Sequence, residues 1–315
     1  FNLFVVSVFW SFMADIFSNQ QARRLFGFIA AGGTAGALLG PLLTTLLVKP
    51  LGTENLLLIS ALLLGWALFC IKRLVNWRNA GDVQSAIHEK EREQPLGGSV
   101  LAGIRLVLQS PYLLGIAMLM LLFTTLATFL YFQQAQIIRD AFADPSERTA
   151  LFAAIDLAVN SLTVLIQVFL TGRLVRWLGL PWTLALVPLL LGLGFMALAF
   201  SPVLAVLVVV QVVRRAGNYA IMRPSREMLY VVLGREEKYK AKNFIDTTVY
   251  RGGDAVSAWI YAGLRGLGLG LSGIAWIAVP LAALWALLAY RLGREQTVMA
   301  DAEQLASRET AGGSR

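Results

Sequence analysis

The 25 residues from Pro111 to Ala135, PYLLGIAMLMLLFTTLATFLYFQQA, contain no charged side chain. A helix needs about 20 predominantly apolar residues to cross a hydrocarbon layer roughly 30 Å thick. The stretch therefore predicts a membrane-spanning helix. Eight more stretches of the same character run roughly over 1–17, 25–48, 55–75, 149–171, 181–200, 203–230, 244–264 and 271–291. Composition points the same way. The chain of 315 residues is 57% hydrophobic and 15% charged, with a mean hydropathy of +0.66. A soluble domain carries about 25% charged residues to cover its core. The expectation is an all-α polytopic membrane protein with about nine transmembrane helices.

Other classes are excluded by what is scarce. One cysteine, Cys70, leaves no intrachain disulfide and no thiolate cluster. One histidine, His88, sits in a charged linker, so neither a histidine-rich metal site nor a serine–histidine–acid set can assemble. No cofactor and no enzyme activity are expected. The net charge of +8 would raise nucleic-acid binding in a soluble protein. Here the distribution of basic residues across a membrane accounts for it better.

The one long polar stretch, 76–99, ends in Gln94-Pro95-Leu96-Gly97-Gly98 and reads as a linker. A short interfacial piece, Val100 to Gln109, follows it. The expected organisation is a three-span remainder of an N-terminal bundle at 1–75, a cytoplasmic linker with its interfacial helix at 76–110, a six-span C-terminal bundle at 111–292 and a cytoplasmic tail at 293–315. Secondary transporters are built from paired bundles of related topology. Three spans before the linker and six after it imply a 12-span, 6+6 protein whose first three spans are absent. Phe1 standing at once in an apolar run fits a chain cut from something longer, with no signal peptide. With linker and C-terminus in the cytoplasm, eighteen basic residues lie inside and four (Lys49, Arg139, Arg148, Arg265) outside. That bias has the sign of the positive-inside rule.

Ionisable groups within a bilayer are costly and normally face a bundle interior or a water-filled path. Three predicted spans carry them in helical register. Asp156, Asn160, Thr163, Gln167 and Thr171 share one face of 149–171. Gln211, Arg215, Asn218, Met222 and Arg226 share a face of 203–230, with Arg214 adjacent. Asp246, Tyr250, Asp254, Ser257 and Tyr261 share a face of 244–264, with Arg251 beside them. One reading is a polar pathway between bundles where a transporter holds its solute. The other is buried ion pairs that fix helix packing, for example Arg214 or Arg215 with Asp156 or Asp254. Guanidinium forks suit phosphate and carboxylate. Asp156 could instead couple transport to protons, or be a neutral packing acid. The Gly32, Gly36 and Gly40 ladder reads as a close helix contact.

The segment Met222-Arg223-Pro224-Ser225-Arg226-Glu227-Met228-Leu229-Tyr230, the lysine-rich Glu236-Glu237-Lys238-Tyr239-Lys240-Ala241-Lys242-Asn243-Phe244-Ile245-Asp246, and Arg251-Gly252-Gly253 resemble the tenth and eleventh spans of the ATP:ADP antiporters. Those are nucleotide transporters of plastids and intracellular bacteria. Trp10-Ser11-Phe12 through Gln21-Ala22-Arg23-Arg24-Leu25-Phe26-Gly27 resembles that family's fourth-to-fifth connection. The two stretches cover about a quarter of the chain, and the rest matches only as hydrophobic spans of the wider major facilitator superfamily. The resemblance implies the 6+6 major facilitator fold and exchange of nucleotides or another phosphorylated anion. Arg251 stands where the family's Lys-Ser-Gly-Gly lysine would, but without the intervening serine.

The expected protein is therefore a multi-pass secondary active transporter of the bacterial inner membrane, its C-terminus cytoplasmic, moving a small anionic solute by alternating access. The candidate solute-binding residues are Arg214, Arg215, Asn218, Tyr250, Arg251 and Asn160. The candidate coupling or gating residues are Asp156, Asp246, Asp254, Arg226 and Glu227. The Arg23-Arg24 and Lys238-Lys240-Lys242 stretches are gates or orientation signals. Partners are the lipid bilayer and a small-molecule substrate, with nucleotide as what the resemblance adds; no nucleic acid is expected, and a monomer is favoured. Two alternatives stay open: a proton-coupled exporter of a small organic molecule, and a non-transporting membrane scaffold or sensor.

Overall fold

The computed structural model describes residues 2–17, 19–81 and 102–312. Among these residues the regular structure is helical throughout: α1 (Asn2–Ile16), α2 (Asn19–Gly81), α3 (Ala102–Gln109), α4 (Pro111–Ala141), α5 (Pro145–Phe169), α6 (Thr171–Phe200), α7 (Leu204–Gly217), α8 (Arg223–Met228), α9 (Arg235–Phe244), α10 (Tyr250–Gly266) and α11 (Leu271–Gly312). Two π-helical turns, Asn218–Met222 and Ile245–Val249, join α7 to α8 and α9 to α10. The charged stretch read as a linker lies mostly outside the described residues.

Among the described residues five helical segments are long and apolar enough to cross a membrane: Leu58–Asn76, Pro111–Ala141, Thr171–Phe200, Leu204–Met228 and Leu271–Ala302. The remaining stretches read as spans are helical too. Two of them hold only the shorter apolar helices Val6–Ile16 and Ala154–Phe169. The 244–264 stretch is diluted by Asp246, Arg251 and Asp254. In α2 the backbone stays helical through Lys49-Pro50, where the sequence reading placed a break between spans. A helix satisfies its own backbone hydrogen bonds and needs no neighbour to do so in an apolar setting.

The chain divides into two compact units, residues 1–31 with 100–315, and residues 32–99. The second holds Leu58–Asn76, whose side chains Leu62, Leu64 and Trp66 are exposed. An apolar helix with that much open surface is suited to lipid contact.

In the first unit α4 shows how the sequence builds the bundle. Pro111 stands in its first turn, where a missing N–H costs nothing, and the Ser110 hydroxyl accepts from Leu113 N at 3.4 Å. Leu113, Ile116, Met120 and Leu130 recur at helical spacing and are buried, while Leu114 and Met118 face outward. Thr125 shares a hydrogen bond of 2.9 Å with Ser257 of α10. Gly253 lets α10 approach so closely that a β-carbon there would collide with the Thr124 hydroxyl.

α6 bends at Gly179, whose φ of 73° is open to glycine and strained for other residues. Pro181 restarts the helix, consistent with a span beginning at 181. Against this corner lies Gly293 of α11, where an added β-carbon would sit 2.6 Å from Pro181 Cα. Backbone cannot swing aside as a side chain can. Gly293→Ala is therefore expected to destabilise the bundle by about 1–3 kcal/mol, the usual cost of overpacking. A lowered thermal unfolding midpoint in detergent is the measurement, and an unchanged midpoint would contradict the close packing.

α1 packs on α9 and the second π-turn. Trp10, 4% exposed, meets Phe26 edge-on with ring centroids 5.3 Å apart. The first residues of the chain thereby wall one side of the cavity described next.

Candidate functional site

A cavity of about 630 Å³ opens inside the first unit between α1, α4, the α7–α8 run and the start of α10. That volume is in the range of small-molecule sites. Its walls combine two chemistries. Trp10, Phe123, Phe132, Tyr131, Tyr219 and Tyr250 supply aromatic surface. Five arginines (214, 215, 223, 226, 251) face three carboxylates, Glu227, Asp246 and Asp254.

Both π-turns border this cavity, through Asn218, Tyr219 and Asp246. A π-turn widens the helix, with Arg223 N–H reaching back to Asn218 O, and loosens the regular carbonyl pairing around it. Neighbouring side chains brace the altered backbone. Gln167 Nε2 donates to Tyr219 O at 3.0 Å, and Thr171 Oγ1 donates to Ala220 O at 2.7 Å. Thus Gln167 and Thr171, with Thr163 also buried, use the polar face read on 149–171 for packing.

Nine candidate residues share the cavity wall: Arg214, Arg215, Asn218, Arg226, Glu227, Asp246, Tyr250, Arg251 and Asp254. Asp156 is not among the lining residues; its side chain is 55% exposed and its Oδ1 lies 2.5 Å from Arg215 Nη1. The pair is therefore an exposed contact rather than a buried one, and of the two residues Arg215 lines the cavity. Asn160 is half-buried on α5 and is not among the lining residues.

The arginines divide by partner. Arg214 donates from Nε and Nη2 to Gln211 Oε1 at 3.2 and 3.0 Å, and Gln211 is in turn bonded to Gln134. Arg226 Nη2 lies 3.6 Å from Glu227 Oε1 and 3.5 Å from Asp246 Oδ1. Among the described residues Arg214, Arg223 and Arg251 belong to no ion pair. Among the described residues the cavity thus presents guanidinium groups with no carboxylate at ion-pair distance, Asp254 facing Arg251 from farther off.

The lysine-rich stretch, read as a gate or an orientation signal, forms the helix α9, and Lys242 is fully buried. Lys242 Nζ lies 3.1 Å from Glu227 Oε2 and is bonded to Asp246 Oδ2, with the Tyr230 ring 5.2 Å away. Ser7 Oγ also donates to Asp246 Oδ2 at 3.2 Å. Arg226, Lys242, Glu227 and Asp246 form a neutral tetrad at the cavity floor. Lys238, 4% exposed, reaches α1 instead: its Nζ donates to Ala14 O at 3.2 Å and lies 3.5 Å from Asp15 Oδ1. The signal available for Lys242 was its spacing of four from Asp246 across an apolar Phe244-Ile245, which puts opposite charges on one helix face. Ser7, Trp10 and Arg223 carried no comparable signal in the sequence.

A family model described as Major Facilitator Superfamily matches residues 4–233. The protein named ADP,ATP carrier protein 1 of Chlamydia muridarum is 22% identical over 292 residues, covering 82% of this chain and 55% of its own. The protein of the same name from Chlamydia trachomatis serovar D is also 22% identical over the same extent. The chain spans about half the length of the curated relatives it matches.

Proposed function

Because the chain belongs to the major facilitator superfamily, a family of membrane transporters, we propose that it moves a small phosphorylated anion across the bacterial inner membrane, with nucleotide exchange as the specific activity. The observation that carries this reading is the excess of guanidinium over carboxylate in a cavity walled by aromatic rings. Arginine forks bind phosphate oxygens in pairs, and aromatic faces suit a planar base. The name that the two chlamydial relatives carry supports the nucleotide, at 22% identity.

In this reading Arg214 and Arg251 hold the anionic groups, and Tyr250 and Asn218 orient the rest. Arg215 leaves Asp156 for the solute when the solute arrives. A ligand shifts a conformational equilibrium only by its differential affinity for the two states. Trading a carboxylate for a phosphate at Arg215 supplies such a difference. The Asp15–Lys238 and Ser7–Asp246 contacts between α1 and the α9–α10 run close one end of the pathway, and rocking of the two bundles breaks them. The domain organisation proposed is three spans at 1–75, a linker with its interfacial helix at 76–110, a six-span bundle at 111–292 and a tail at 293–315, with the C-terminus cytoplasmic.

The test is exchange in liposomes preloaded with unlabelled ADP, with labelled ATP outside and no ion gradient. Uptake that requires internal ADP is the expected result. Absence of uptake by folded protein removes nucleotide as substrate. Uptake of a small organic molecule driven by a pH gradient alone would replace exchange with proton coupling.

A further inference from the structure

A second cavity, of about 330 Å³, lies beyond the first along α4 and α10. Phe132 borders both cavities, and its ring stacks on that of Tyr261 with centroids 4.8 Å apart and planes 22° from parallel. Along α10 the lining positions continue without a break in register: Tyr250, Asp254 and Ala258 in the first cavity, then Tyr261 and Arg265 in the second, at steps of three and four. Along α4, Arg139 stands 27 residues past Tyr112, roughly 40 Å at 1.5 Å per residue, so the second cavity sits at the end of the bundle opposite the α3–α4 corner.

Three features of this cavity point to a ligand. Arg139 and Arg265 line it against a single carboxylate, Asp140. Neither arginine is in an ion pair among the described residues, and Arg265 Nη1 donates only to Leu269 O at 3.1 Å. Tyr261 is 6% exposed, yet its hydroxyl has no hydrogen-bond partner among the described residues. A buried hydroxyl left unpaired costs free energy unless something in the cavity meets it. A phosphate oxygen accepts from both guanidinium and phenol and would complete all three.

We propose that Arg139, Arg265 and Tyr261 form a second binding site for the phosphate group of the transported solute, an outer station separated from the central cavity by the stacked Phe132–Tyr261 pair. The assignment as a station on the transport path rests on the function proposed above; the phosphate site itself does not. Two of the four arginines and lysines that break the positive-inside pattern, Arg139 and Arg265, thereby acquire a binding role.

The experiment places a cysteine in the cavity, Gln136→Cys, on a Cys70→Ser background, and follows its labelling by a water-soluble maleimide with and without inorganic pyrophosphate. Pyrophosphate is expected to slow labelling. The half-protecting concentration should rise on the order of tenfold for each of Arg139→Gln and Arg265→Gln, the worth of one charge-assisted hydrogen bond. Tyr261→Phe, which keeps the ring stack, should raise it by a smaller factor. Protection equal in the arginine variants, protection reproduced by chloride at matched ionic strength, or a cysteine that reacts no faster than the background each overturns the site. Labelling already slow in phosphatidylglycerol nanodiscs but fast in phosphatidylcholine, and indifferent to pyrophosphate, would give the cavity to a lipid headgroup and overturn the solute assignment. Protection without ADP-dependent ATP uptake leaves the phosphate site standing and removes nucleotide exchange. Uptake without protection does the reverse.

Discussion

Lys242→Met is expected to lower the stability of the protein by about 3–5 kcal/mol, the cost of removing one member of a buried charge group and stranding its partners. Lys242 is fully buried and faces both Glu227 and Asp246, and without it the single guanidinium of Arg226 must serve two carboxylates. Methionine matches the length of the lysine stem, so the loss isolates the charge from the packing. The measurement is the thermal unfolding midpoint of the detergent-solubilised protein, with the monodisperse fraction after purification. Pairing the change with Glu227→Gln restores a neutral group and should recover a good part of the loss. If Lys242→Met alone leaves the midpoint unchanged, the tetrad is not a buried ionic unit.

The second large effect is on transport. Arg214→Gln and Arg251→Gln are each expected to reduce kcat/KM for ATP uptake by about ten- to a hundredfold, the range for a lost charge-assisted hydrogen bond to the solute. Arg214 is held by Gln211, itself tied to Gln134, so its fork is pre-positioned toward the cavity with no carboxylate on it. Arg251 lines the cavity one residue from Tyr250. Both variants should keep the wild-type unfolding midpoint within the error of the measurement, which separates binding from folding. Asn160→Ala, at a candidate position away from the cavity wall, should leave uptake near the wild-type rate. Retained uptake in folded Arg214→Gln and Arg251→Gln would remove these residues from the site.

The membrane class and the candidate ionisable residues were legible because each rests on local information. A charge-free run such as Pro111–Ala135 states its solvent by composition alone, and helical periodicity puts Arg215 and Asn218, or Tyr250 and Asp254, on one face of one helix. The stretch read as a span from 181 begins just past the Gly179 bend, where Pro181 restarts the helix. The sequence alone thus determined that this is a helical membrane protein with three polar helix faces, and which residues those faces carry.

Only the tertiary structure decided what each face meets. Asp156 and Asn160 are four residues apart on the same stripe, yet one is bonded to Arg215 and the other does not reach the cavity. The lysines of Lys238-Lys240-Lys242 read as gates or orientation signals, but Lys242 is buried, compensated by Asp246 one turn on and by Glu227, which arrives from α8. Ser7 touches Asp246 from 239 residues away, a contact no spacing encodes. Burying a charge is prohibitive alone and tolerable with a partner, so the fate of each ionisable side chain depends on which other helix packs against it. That pairing is a property of how helices assemble, and periodicity within one helix does not contain it.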